Sequence, residues 1–135
     1  MESVREIIEA RGGWDRLKDH PIKVEVGEGF MPLCIEYVGL GPRGGLLVSI
    51  AHYYEQNGDL MADPDLVVEV IPQAGRWMPV SFQQDNLGLY REAVSVEGEG
   101  LIVHSKVVHD LQEVMRAWDH NLREQGFVDA ARKPT

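Results

Sequence analysis

Apolar residues change their period along this chain. Between residues 105 and 124, Val107, Val108, Leu111, Val114, Met115, Trp118 and Leu122 recur at the three-and-four spacing that gathers them on one broad face of a helix. Ser105 is placed to cap that helix and Gly126 to stop it. At the other end, "SVRE" (Ser3 to Glu6) has the capping-box pattern, Val4, Ile7 and Ile8 share one helical face, and Gly12-Gly13 ends the segment. Trp14 and Leu17 then tuck under the domain before Pro21 stops the helix from running on.

Between these helices the period shortens to two. "KVEV", "MPLCIEYVG", "LLVSIAHYYE", "DLVVEVI", "RWMPVSF" and "GLYREAVSVEG" read as strands. Their connections are too short for parallel crossovers, so neighbours pair antiparallel. The expected architecture is α+β: a single domain over residues 1–127, an antiparallel sheet of about five or six strands, and the N-terminal and long C-terminal helices packed on one face. Residues 128–135 read as a frayed tail. No internal repeat, low-complexity segment or linker divides the chain.

The polar positions concentrate in "SIAHYYEQNGDLMADPDLVVEV", residues 49 to 70. Strand alternation there sends Ile50, His52 and Tyr54 to one face and Ala51, Tyr53 and Glu55 to the other. The following "QNGDLMADPD" contains two turn-forming pairs, Asn57-Gly58 and Asp63-Pro64, and is expected to be a wide loop. On the returning strand Leu66, Val68 and Val70 alternate with Val67 and Glu69, which makes Glu69 the carboxylate expected to reach the polar face of the upstream strand. A slip of one residue reverses these faces.

Composition and charge narrow what such a surface does. With 44% apolar and 26% charged residues the chain is an ordinary folded protein, and no run approaches the ~18 consecutive apolar residues of a membrane helix, so no membrane partner is expected. The N-terminus lacks the continuous apolar block of a secretory signal. A lone Cys34 allows no intramolecular disulfide, and a cytoplasmic location is expected. The net charge of -9 argues against direct nucleic-acid binding, whose affinity rests on Lys and Arg. From Gly44 to Tyr90 the carboxylates are Glu55, Asp59, Asp63, Asp65, Glu69 and Asp85, against Arg76 alone. Clustered carboxylates bind hard cations, shift one another's pKa for acid/base work, or meet a basic partner.

Other motifs carry less. The glycines of "LGPRGG" lead into a strand rather than a phosphate-binding helix N-terminus. On the last helix His109, Glu113, Arg116 and His120 form a stripe opposite the apolar face and point at water. HExxH, GxSxG, Walker and paired-cysteine patterns are absent, Cys34 reads as a structural thiol, and no catalytic residue, metal or cofactor is called for. "SFQQDNLGLYRE" reads mostly as turn chemistry, its Asp85 and Asn86 adding hydrogen-bonding groups.

"AHYYEQNGDLMADPDLVVEV" and "WMPVSFQQDNLGLYREAV", with "WDHNLREQGF" near the end, resemble a family of small uncharacterised bacterial domains associated with plasmids, phages and integrated mobile elements. The resemblance covers roughly residues 40 to 127. It implies an accessory role, beside antirestriction or conjugation proteins, and carries over no catalytic residue. The reading that follows is a non-enzymatic protein-interaction module whose acidic hairpin surface, His52, Tyr54, Glu55, Asp59, Asp63, Asp65, Glu69, Asp85 and Asn86, meets a basic protein. The alternative is a small enzyme or a ligand- or metal-binding domain with a polar site around His52, Glu69 and Asp85. A homodimer formed through an exposed sheet edge or the Trp77 to Phe82 strand is a third arrangement.

Overall fold

The alternating segments build a six-stranded antiparallel meander in the computed structural model, which describes residues 1–27 and 29–134. Strands β1 (Ile22–Val24), β2 (Leu33–Leu40), β3 (Leu46–Gln56), β4 (Asp59–Ile71), β5 (Arg76–Gln84) and β6 (Leu89–Glu92) lie side by side in chain order. A second sheet pairs β7 (Val94–Glu97) with β8 (Gly100–Val103). The helices are α1 (Glu2–Ala10), α2 (Gly13–Leu17), α3 (Ser105–Glu124) and α4 (Phe127–Ala131). The expected α+β architecture is the one observed.

Alternation decides which side the helices cover. Val24, Leu33, Ile35, Val48, Ile50, Leu66, Val68 and Val70 are fully buried and join Val4, Ile7 and Ile8 of α1, Leu111 and Leu122 of α3 and Phe127 of α4 in one core. Each such aliphatic side chain contributes about 1.5–3 kcal/mol on leaving water. All four helices send their buried residues into this cluster, so the opposite, outer sheet face has no helix over it among the described residues. Trp14 of α2 meets Trp77 of β5 with ring centroids 5.6 Å apart, at one end of the sheet.

Four local expectations are corrected. First, "QNGDLMADPD" is not a wide loop. Asn57 (φ 54°) and Gly58 (φ 85°) form a two-residue turn, Gln56 pairs with Asp59, and the strand returns at once. Two successive positive φ values match the twist of a tight hairpin, which Asn-Gly adopts readily. The second turn-like pair, Asp63-Pro64, falls inside β4, where the register shifts from Ala51↔Asp65 to Tyr53↔Ala62. An irregularity of this kind absorbs a proline without breaking the strand.

Second, neither proposed serine caps its helix. Ser3 is already helical and buried, and the backbone N–H groups of Ser3 and Val4 donate to the carboxylate of Asp119, on α3. Ser105 is the first residue of α3, with His104 before it in extended conformation. Third, "GLYREAVSVEG" is divided. Ala93 donates to Val80 O while its own carbonyl receives His104 N–H, so the chain leaves β5 there and continues as β7 against β8. Fourth, the tail expected to fray at residue 128 carries α4, with Phe127, Val128 and Ala131 buried and Arg11 Nε donating to Ala131 O at 2.9 Å. The apolar spacing over five residues is too short to stand out against the polar "DAARKPT".

Candidate functional site

His52 and Glu69 are on opposite faces of the sheet. His52 pairs with Leu33 and follows the inward Ile50, whereas Glu69 sits between the inward Val68 and Val70 and so points outward. The polar pocket that would need both is therefore not formed, and the loop over the outer face explains why Glu69 is nevertheless buried.

Under the helices, His52 is held from both ring nitrogens. Nδ1 lies 3.0 Å from the Pro32 carbonyl, which can only accept, and Nε2 lies 3.3 Å from the Trp118 indole N–H, which can only donate. That pairing selects the neutral Nδ1–H tautomer. The rings of Trp118 and Phe127 pack beside it at 5.5 and 5.7 Å. Burial pushes the His52 pKa down, against the opposing pull of the Pro32 and Met31 carbonyls and the Asp63 charge. With both nitrogens engaged, the imidazole has no lone pair free for proton transfer. It joins α3 to the segment before β2.

Glu69 organises the connection between β2 and β3. Its Oε2 accepts the backbone N–H of Arg43 at 2.9 Å and of Gly45 at 2.8 Å, and the Arg43 guanidinium stands 3.6 Å from Oε1. The glycines of "LGPRGG" now have a reason. A Cβ on Gly41 would stand 2.3 Å from Glu69 Cδ, and one on Gly45 would stand 2.7 Å from Val70 O. The motif is a cradle for a buried carboxylate.

Several other carboxylates singled out from sequence are tied into the fold. Asp85 accepts from Ala62 N–H and from Gln83 Nε2, each at 2.7 Å, and these bonds hold its pKa down, the Gln83 bond most. Asp63 accepts from Gln84 Nε2 at 2.9 Å. Asp65 Oδ1 accepts the Ser49 hydroxyl at 2.6 Å, yet burial raises its pKa above the ordinary carboxylate value. Glu55, Asp59 and Asn86 remain exposed.

The hairpin end of the outer face contains a recess of about 290 Å³ lined by Lys23, Pro32, Cys34, Tyr53, Tyr54, Glu55 and Leu60. Tyr53 and Tyr54, expected on opposite faces, both border it. The register shift between Ala51 and Tyr53 coincides with this change, as bulged strands twist more strongly than regular ones. Burial raises the Cys34 thiol pKa, so the thiol is a poor nucleophile there. Sequence reasoning did not single out Tyr53 or Leu60, because nothing local marks the bulge.

A larger cleft, about 690 Å³, lies elsewhere, between the start of α1, α3 and the turn before β5. Arg116 and His120 of the exposed α3 stripe border it with Trp77 and Met115, but Asp119 at its edge is occupied by the α1 amides. Among the described residues no group of three His, Cys, Asp or Glu side chains could hold a metal ion. No helix among them is long and apolar enough to cross a membrane.

A family model described as a domain of unknown function, DUF6908, matches residues 2–128. The chain belongs to this family. The DUF6908 match takes in all eight strands, α1 to α3 and the start of α4, so the family unit and the folded unit described above coincide closely. No curated protein and no solved structure matches the chain.

Proposed function

We propose that this DUF6908 domain is a protein-interaction module that docks a basic polypeptide on its outer sheet face, at the end formed by the β3–β4 hairpin. One observation carries the reading: an apolar recess framed by Tyr53, Tyr54, Leu60 and Cys34 opens on a sheet face with no helix over it among the described residues, beside the exposed carboxylates Glu55 and Asp59. Tyrosine and leucine around a concavity supply an anchor site for one large side chain, and the carboxylates Glu55 and Asp59, against Lys23 alone on the recess wall, favour a basic partner. The chain's charge of -9 adds long-range attraction for such a partner. The polar residues of an enzyme reading are consumed by structure: His52 by Pro32 and Trp118, Glu69 by the Arg43–Gly45 backbone, Asp85 by Ala62 and Gln83. An accessory role beside mobile-element proteins, as the sequence resemblance implies, is compatible with a module of this kind.

The test combines capture with a footprint. Tagged protein is incubated with lysate of its own host at low and high salt, beside a Glu55→Gln/Asp59→Asn/Leu60→Ser variant. Alkylation of Cys34, the single cysteine, is followed with and without the captured protein. A salt-sensitive basic partner that is lost in the variant and shields Cys34 is the expected result. A partner retained by the variant, or one that leaves Cys34 equally reactive, refutes the assignment of this face.

A further inference from the structure

We infer that Asp65 is the position on the outer face that receives the cationic side chain, arginine or lysine, of the docked polypeptide; this rests on the docking reading above and specifies its chemistry. Asp65 lies across from Ala51 on β3 and Gln83 on β5, and Tyr53, which follows on the same stretch of β3, borders the recess. An apolar anchor in the recess and a cation at Asp65 would thus come from neighbouring positions of one extended segment.

The surroundings of Asp65 are built to orient its carboxylate without neutralising it. Ser49, itself 6% exposed, donates its hydroxyl to Oδ1 at 2.6 Å. This hydroxyl brings no positive charge. Two other half-buried or buried acids have a cation: Arg43 stands beside Glu69, and Arg91 pairs with Asp110 at 3.1 Å. Asp63, Asp85 and Asp119 are half-buried without one and accept amide N–H groups instead. Among the described residues no lysine, arginine or histidine lies within ion-pair distance of Asp65. Lys23, which borders the recess, is engaged with Glu25 at 3.6 Å.

A partly desolvated carboxylate with a fixed hydroxyl donor and no counter-ion gains from an incoming cation. The desolvation cost has already been met in the free protein, and a guanidinium makes charge-assisted bonds to the remaining lone pairs. Opposite Asp65, Ala51 on β3 is a buried methyl group, and the exposed Gln83 on β5 turns its amide to Asp85. The raised Asp65 pKa reports the same uncompensated burial, with the Asp85 charge as a further contribution.

Two capped dipeptides test this on the intact protein by NMR titration: acetyl-Leu-Arg-amide, and acetyl-Leu-citrulline-amide, which keeps the shape and removes the charge. The arginine probe should produce saturable shifts centred on Ser49, Tyr53 and Asp65, with about tenfold weaker binding for the citrulline probe, a loss of about 1.4 kcal/mol. Asp65→Asn should abolish the difference between the probes, while Glu55→Gln/Asp59→Asn should preserve it. Equal affinity of the two probes in the recess overturns the role of Asp65 and leaves docking intact. Absence of shifts from either probe anywhere on the outer face overturns both. The probe comparison uses the wild-type protein, so the outcome stands even if Asp65→Asn does not fold.

Discussion

Trp118 donates its indole N–H to Nε2 of His52 across 3.3 Å, and this bond fixes the imidazole as a neutral structural link rather than a proton carrier. Protonation at Nε2 would place two donors face to face. The folded protein therefore resists charging His52, and burial lowers its pKa from the ordinary 6.5. The unfolded chain carries no such penalty and takes up the proton first. Stability from this residue is fully present above about pH 6.5 and is lost as pH falls from there towards the lowered folded value. His52→Phe should cost about 1–3 kcal/mol at pH 7.5, because the Pro32 carbonyl and the Trp118 N–H are left without partners. Its deficit relative to wild type should shrink as pH falls below about 6.5. Denaturant unfolding at a series of pH values checks both; a deficit independent of pH would contradict the assigned tautomer.

Glu69 should matter for the β2–β3 connection rather than for any chemistry. Glu69→Ala removes the acceptor for two backbone N–H groups in a buried position, at a cost of about 2–4 kcal/mol. Amide exchange at Arg43 and Gly45 should accelerate in this variant while that of β4 to β5 pairs changes no more than global stability requires. Gly45→Ala should reproduce part of the effect, since its Cβ would stand 2.7 Å from a backbone carbonyl that cannot rotate away.

Asp119 is the capping residue for α1, although it comes from another helix. Asp119→Ala should lower stability by about 0.5–2 kcal/mol, and Asp119→Asn by less, because the amide oxygen still accepts. Exchange of the Ser3 and Val4 amides, followed by NMR, is the specific readout. If Ser3→Ala loosened these amides as much as Asp119→Ala does, the cap would belong to the serine instead.

The C-terminal turn is part of the core. Ending the chain after Gly126 removes Phe127, which is fully buried, together with the buried Val128 and Ala131. Loss of a buried phenylalanine alone costs about 3–5 kcal/mol, a large share of the stability of a domain this size. A calorimetric scan should show the transition strongly lowered or lost. A melting temperature within a few degrees of the full chain would restore the frayed-tail picture.

Much of the fold was legible because its signal is local and repeated. Seven apolar positions on α3 agree on one face, and strand alternation from Leu46 to Ile50 and Leu66 to Val70 leaves little freedom about which side is buried. In the hairpin two turn pairs compete. Asn57-Gly58 won, and Asp63-Pro64 was absorbed as an irregularity that the sequence of β4 does not announce. The site was less legible still. Glu69 and His52 look alike in sequence as polar residues within apolar strands, and they face opposite ways because they fall on opposite parities of the same sheet.

The sequence by itself determined the class of fold, the antiparallel order implied by short connections, the apolar face of each long element and the acidic bias of the hairpin region. Those follow from periodicity and composition, which act over a few residues. Only the tertiary structure decided which polar groups are already used: Asp119 by amides 115 and 116 residues away, His52 by an indole 66 residues away, Glu69 by a loop 24 to 26 residues away. The availability of a hydrogen-bonding group depends on what else is brought beside it and on how much water is removed, and neither is encoded near the residue itself.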